Sequence, residues 1–181
     1  GLLEKSELSS KLLVGAQGPR MIMTARLSDG VLLNYSDPDM IEWAVKLLQK
    51  EPESHIRGVF PPTVLSRKTG KLPHYAKNAA ALVALGTGSK VLKRFGIFAE
   101  LRGPKKEINE KGELTAEIVD SIPEEILNRF VLYCTPSGLN EYVTSLASRG
   151  IDLIVFGPPL SSFDPGVEML VGAKQRYDDC Q

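Results

Sequence analysis

The best-defined chemistry in this chain belongs to backbone amides. In Val14-Gly15-Ala16-Gln17-Gly18-Pro19, two glycines bracket Ala16 and Gln17, and a proline follows at once. Proline is favoured at the first helical position, where its missing N–H costs nothing. The pattern therefore predicts a strand that ends here and a helix that opens at Pro19. The N–H groups of Ala16, Gln17 and Gly18 are then left pointing outward, without bulky side chains in front of them. Open N–H groups at a helix start form an anion site, and phosphate is its usual occupant. A tight strand-to-helix turn that binds nothing has the same sequence, and Gly-x-x-Gly-Pro is too short to separate the two readings.

Other reactive residues are sparse. Gly86-Thr87-Gly88-Ser89-Lys90 lacks the first glycine that a phosphate-binding loop requires, so it reads as a helix break. His74, between Pro73 and Tyr75, reads as a loop histidine rather than a catalyst. Two histidines (His55, His74) and two cysteines (Cys134, Cys180) show no metal-ligand spacing, so no metal site is expected and the thiols should be reduced. Lys+Arg and Asp+Glu each number 22, giving zero formal net charge, which argues against a general binder of nucleic acid or anionic membranes. No apolar run approaches the ~20 residues that span a bilayer. Gly1-Leu2-Leu3-Glu4-Lys5-Ser6 lacks the features of a signal peptide, so a cytoplasmic protein is expected. The chain starts with Gly1 rather than methionine, and a missing upstream portion is expected on that ground.

The elements that would position the Gly15–Pro19 turn alternate in type. A strand is predicted at Lys11–Val14, a helix at Pro19–Ser28 and a strand at Val31–Asn34, with Gly30 as a helix stop able to take positive φ. Asp37-Pro38 opens a helix with Asp37 as cap, and Ile41, Ala44, Val45 and Leu48 form its apolar face. A third strand is predicted over 55–65, broken where Pro61-Pro62 removes ladder donors. Helices follow at 75–85, at 89–94 with Ser89 as cap, at 115–120 and at 123–130, while 103–112 reads as an exposed polar loop. Thr135-Pro136 starts another helix, ended by Gly150; Ile151–Phe156 is the fourth strand, and Asp164-Pro165 opens a last helix before a frayed tail over 177–181. Strands alternating with helices imply parallel strands with helical crossovers. About four β/α units can be read, whereas a closed (β/α)8 barrel needs eight strands and about 250 residues. The chain is thus a single α/β domain over 1–181, either an open sheet or half a barrel.

Gly15-Ala16-Gln17-Gly18-Pro19, then Ala25 and Asp29-Gly30-Val31-Leu32-Leu33-Asn34, resembles the second half of the bacterial-luciferase-like superfamily. Within that superfamily the pattern is most similar to the deazaflavin-dependent methylenetetrahydromethanopterin reductases. The resemblance continues through Leu85-Gly86, Ser89, Gly96-Ile97, Thr135-Pro136-Ser137, Gly150-Ile151, Val155 and Gly157-Pro158. It lapses between Arg102 and Ile122.

The resemblance implies a (β/α)8 barrel of the TIM type, of which this chain holds strands five to eight. It implies coenzyme F420 as cofactor (FMN in other branches) and hydride transfer to a one-carbon pterin. Gly15, Ala16, Gln17 and Gly18 match the turn that helps hold the cofactor phosphate, and Asn34 would line the same mouth. Gln17 could instead reach the pterin, or simply bond its own turn; Asn34 could be a plain strand-end cap. Gly157 and Pro158 would end the last strand beside the substrate, or form a bend needing special backbone angles. A half barrel would leave two strand edges and an apolar face uncovered. An N-terminal half-barrel, a second subunit or self-association is therefore the expected partner. A non-catalytic binding or assembly subunit is the remaining alternative.

Overall fold

A computed structural model describes residues 10–48, 54–160 and 164–178. The chain enters with β1 (Leu13–Ala16), α1 (Pro19–Thr24), β2 (Gly30–Leu33), α2 (Pro38–Lys46), β3 (Ile56–Val59) and β4 (Thr63–Leu65). A helical stretch follows: α3 (His74–Gly86), α4 (Ser89–Arg94), α5 (Phe98–Lys111), α6 (Ala116–Asp120) and α7 (Glu124–Leu127). It ends with β5 (Leu132–Cys134), α8 (Pro136–Ser148), β6 (Leu153–Ile154) and α9 (Asp164–Asp178). One sheet has the order β1-β2-β3-β6 and a second pairs β4 with β5. All these pairings are parallel, as the alternation of strand and helix predicts.

The register levels the strand ends. Leu13 lies opposite Gly30, and Gly30 opposite Ile56, so Ala16, Leu33 and Val59 finish side by side. Gly30 does not take positive φ as a helix stop; positive φ occurs among described residues only at Gly96, Gly112 and Gly150. Its role is space, because a Cβ there would lie 2.4 Å from the Ile56 carbonyl oxygen. Gly96 and Gly150 do end α4 and α8 in the left-handed region, as expected.

Pro61-Pro62 breaks the third strand as expected, with β3 and β4 on either side of it in different sheets. The Pro61 carbonyl accepts from Gly157 N–H (2.9 Å) and that of Pro62 from Leu132 N–H (2.8 Å). Two successive residues that cannot donate still accept, from Gly157 three residues beyond β6 and from Leu132 of β5. Strand β5 is absent from the sequence-based expectation, which stops its helix at 130 and resumes at Thr135. The signal is the uninterrupted apolar run Phe130-Val131-Leu132-Tyr133-Cys134 before Thr-Pro. The fourth strand is shorter than 151–156, with only Leu153–Ile154 in the ladder.

The expected loop at 103–112 is instead the second half of α5. Leu101, Pro104 and Ile108 form one narrow inward stripe, with Leu101 and Pro104 buried. The rest of that surface is charged and carries i,i+4 pairs such as Lys111–Glu107 at 2.7 Å. Gly103-Pro104 and the scarcity of apolar residues hide it from a periodicity reading.

The main core packs Val31, Leu33 and Val59 of the sheet against Ile22 and Ala25, against Met40, Ile41 and Ala44 of α2, and against the alanine face of α3. A smaller cluster joins Leu65, Leu132, Leu139, Leu160 and Ala173. Asp37 caps α2 as expected, accepting from Asp39 N–H (2.8 Å) and Met40 N–H (3.1 Å). Its other oxygen accepts from Arg129, whose guanidinium also lies over the Phe95 ring. Thr135 caps α8 through Gly138 N–H (3.2 Å), whereas Ser89 caps nothing, because Gly88 holds the cap position of α4. Gly30→Ala is expected to lower stability by about 2–3 kcal/mol through overpacking against Ile56, read as a drop in the urea midpoint at unchanged slope.

Candidate functional site

Leveling of β1, β2 and β3 opens a cleft of about 350 Å³ at their C-terminal ends, lined by Gly15, Ala16, Gln17, Leu32, Asn34 and Phe60. Four of the residues expected from sequence therefore meet in one place: Gly15, Ala16, Gln17 and Asn34. Leu32 and Phe60 were not expected there. Gly18 stands just behind as the N-cap of α1, with φ −127° and ψ 158°. A Cβ added at Gly15 or Gly18 would meet nothing within 4 Å, so the space before both is open.

The strand runs two residues further than predicted, and this changes the inventory of donors. Ala16 lies in the ladder opposite Leu33, and its carbonyl accepts from Asn34 N–H (3.1 Å). Among the described residues, the N–H groups of Gln17 and Gly18 have no protein acceptor. Two open amides remain where three were expected. The helix behind them is also shorter than the predicted 19–28, with six residues in α1 followed by a 3-10 turn at Ala25–Leu27.

The turn is held from both sides. The Tyr35 hydroxyl, on a fully buried ring, donates to the Gln17 carbonyl. Burial raises the Tyr35 pKa well above the ordinary phenol value, keeping this donor protonated. Tyr35 in turn packs edge-on against Trp43, with ring centroids 6.4 Å apart. On the other side, the Gln17 side-chain Nε2 donates to the Val83 carbonyl (3.0 Å) and to Thr87 Oγ1 (2.6 Å) at the end of α3. The Lys105 ammonium of α5 donates to the carbonyls of Leu85 and Thr87 at the same helix end. Partial burial lowers the Lys105 pKa below the ordinary lysine value.

Gly157 and Pro158 lie beside this cleft rather than in its lining. Gly157 abuts Phe60, where a Cβ would sit 3.1 Å from both the ring Cζ and the Pro61 carbonyl oxygen. Close approach, not unusual backbone angles, is what glycine permits there. Pro158 is exposed and joined to Pro159 by a cis peptide bond. His74 is exposed at the start of α3 beside Asn78 (3.3 Å). Gly86–Ser89 is the expected helix break, with α3 ending at Gly86 and α4 beginning at Ser89. Cys134, at the end of β5, has its thiol pushed up to about 12 by burial, which makes it a poor nucleophile. Among the described residues, no cluster of three His, Cys, Asp or Glu could hold a metal ion, and no helix is long and apolar enough to cross a membrane.

No family model matches the chain. The 5,10-methylenetetrahydromethanopterin reductase of Methanolobus tindarius is 25% identical over 167 residues, which cover 88% of this chain and 51% of that protein. The enzyme of the same name from Methanopyrus kandleri is 27% identical over 167 residues, covering 88% and 48%. The solved structure of coenzyme F420 dependent tetrahydromethanopterin reductase from Methanopyrus kandleri matches with a TM-score of 0.68 at 24% identity, covering 83% of this chain and 45% of that one. The chain is a distant homologue of the methylenetetrahydromethanopterin reductases. It spans about half the length of the curated relatives it matches. The resemblance read from Gly15-Ala16-Gln17-Gly18-Pro19 onward thus corresponds to homology with these reductases, within the luciferase-like superfamily. The fold agrees at the level of a parallel α/β arrangement matching half of the reductase structure.

Tyr35→Phe is expected to remove the grip on the Gln17 carbonyl and to lower stability by about 1 kcal/mol, measured by urea unfolding followed through far-ultraviolet circular dichroism.

Proposed function

We propose that this chain is the C-terminal half of an F420-dependent oxidoreductase barrel, contributing strands five to eight, and that the cleft at the ends of β1–β3 holds one end of the cofactor. The observation that carries this reading is the convergence of Gly15, Ala16, Gln17 and Asn34 on one cleft in a homologue of reductases of this kind. The residues present fit such a group. Two peptide N–H groups, at Gln17 and Gly18, without an acceptor among the described residues, can bond phosphate oxygens, and the absent side chains of Gly15 and Gly18 leave room for it. Leu32 and Phe60 offer an apolar wall, and Asn34 a polar rim.

The coenzyme, when bound, would supply the hydride, with a one-carbon pterin as the acceptor. This chain's part is binding and orientation. Among the described residues, no ionisable side chain lines the cleft. The site is one side of an active centre, and the other side belongs to a second half-barrel.

Two features support that partner. Strand β1 ends the four-stranded sheet, with Leu12 and Leu27 beside it exposed at 66% and 91%. At the other end of the sheet, beside β6, an apolar groove of about 500 Å³ runs between α8 and α9. Native mass spectrometry of the purified 181-residue chain should show an assembly heavier than the 19.8-kDa monomer. A monomer that by itself oxidises reduced F420 with the pterin would overturn this part.

Titration with F420, followed by its absorbance, tests the cleft. Gly15→Val is expected to weaken binding at least about tenfold while changing stability by less than about 0.5 kcal/mol, since nothing lies within 4 Å of the added Cβ. Preferential retention of FMN would point to the monooxygenase branch instead, and binding of neither cofactor to the complete assembly would leave a non-catalytic subunit.

A further inference from the structure

The Gln17 carboxamide sits where two acceptors constrain it. Thr87 Oγ1 donates its proton to the Val83 carbonyl (2.8 Å), so its lone pairs face outward as acceptors. Gln17 Nε2 lies 2.6 Å from that hydroxyl oxygen and 3.0 Å from the same Val83 carbonyl. A carbonyl can only accept, so the amide group facing both must be NH2, and both of its protons are used. The opposite orientation would set Oε1 against two acceptors. Oε1 instead lies over Gly86, where no side chain intervenes.

This arrangement depends on the end of α3 staying in place. Thr87 is fully buried, and its carbonyl, with that of Leu85, is held by the Lys105 ammonium. Without a cation, these carbonyls would be unsatisfied acceptors at the negative end of a 13-residue helix. Lys105 reaches them from α5, a helix that otherwise shares nothing with the cleft.

We propose that Thr87 and Lys105 are positioning residues that lock the Gln17 carboxamide: Thr87 Oγ1 and the Val83 carbonyl consume both of its N–H groups while Lys105 fixes the helix end that carries them, so that Gln17 meets a ligand as a hydrogen-bond acceptor alone. Resting on the cofactor-cleft reading, this divides the work of one residue. The Gln17 backbone N–H is available to an anion, while its side chain repels phosphate and accepts from an N–H or O–H donor. A lactam N–H on a heterocyclic ring has the required chemistry.

Nuclear magnetic resonance of the 15N-labelled chain tests the lock without any ligand. The Gln17 side-chain pair, assigned by its loss in Gln17→Met, should exchange at least about tenfold more slowly than a free glutamine amide. Thr87→Val should restore free exchange, Thr87→Ser should keep the protection, and Lys105→Met should reduce it, with circular dichroism reporting that each variant is folded. A freely exchanging pair in the parent chain, or protection untouched by Thr87→Val, would overturn the proposal. F420 serves as the probe for the role in binding. Affinity that falls in Thr87→Val and returns in Thr87→Ser supports it, and equal affinity with a released amide overturns it. If F420 binds no variant while the amide pattern holds, the cofactor reading fails and the lock stands.

Discussion

The close approach of β2 to β3 at Gly30 is the constraint on which the rest of this structure depends. Parallel strands exchange slanted hydrogen bonds at fixed spacing, so one tight point sets the register of the whole ladder. A side chain at Gly30 would collide with the Ile56 backbone and drive the strands apart. With glycine there, β1, β2 and β3 finish level, and their last residues surround one opening. Had the ladder slipped by one residue, Leu33 and Val31 would leave the core and the cleft would lose Leu32 and Asn34 from its wall.

Around that sheet, polar groups are committed in a chain of dependence. Asp37 caps α2 and holds Arg129, which reaches Phe95 of the helical stretch. Tyr35 and the Gln17 amide grip the same turn from opposite sides, one through a carbonyl and the other through α3. Lys105 completes the arrangement by satisfying the last carbonyls of α3. Apart from the local Asp37 cap, each of these bonds joins segments at least 18 residues apart, so the turn is ordered by tertiary packing rather than by its own composition.

That division explains what is legible in the sequence. Local signals read correctly: Asp37-Pro38 and Thr135-Pro136 as helix starts, Gly96 and Gly150 as helix ends, Pro61-Pro62 as a break. The Gly15–Gly18 turn is legible for the same reason, through short-range turn chemistry, whereas the place of Asn34 beside it follows from the family resemblance. Leu32 and Phe60 are not, because which side chains face a cleft depends on which strands pair. Thr87 and Val83 lie 70 and 66 residues from Gln17, and no spacing rule connects them. The strand at Leu132–Cys134 is hidden by its brevity. The second half of α5 is hidden by the Gly103-Pro104 pair and a surface that carries almost nothing apolar.

Trp43 is the sole tryptophan of the chain. It stands edge-on to Tyr35, whose hydroxyl is bonded to the turn beneath the cleft. An indole so placed is a built-in optical gauge: any displacement of the Gln17 peptide reaches it through one phenol ring, and no other tryptophan dilutes the change in its emission.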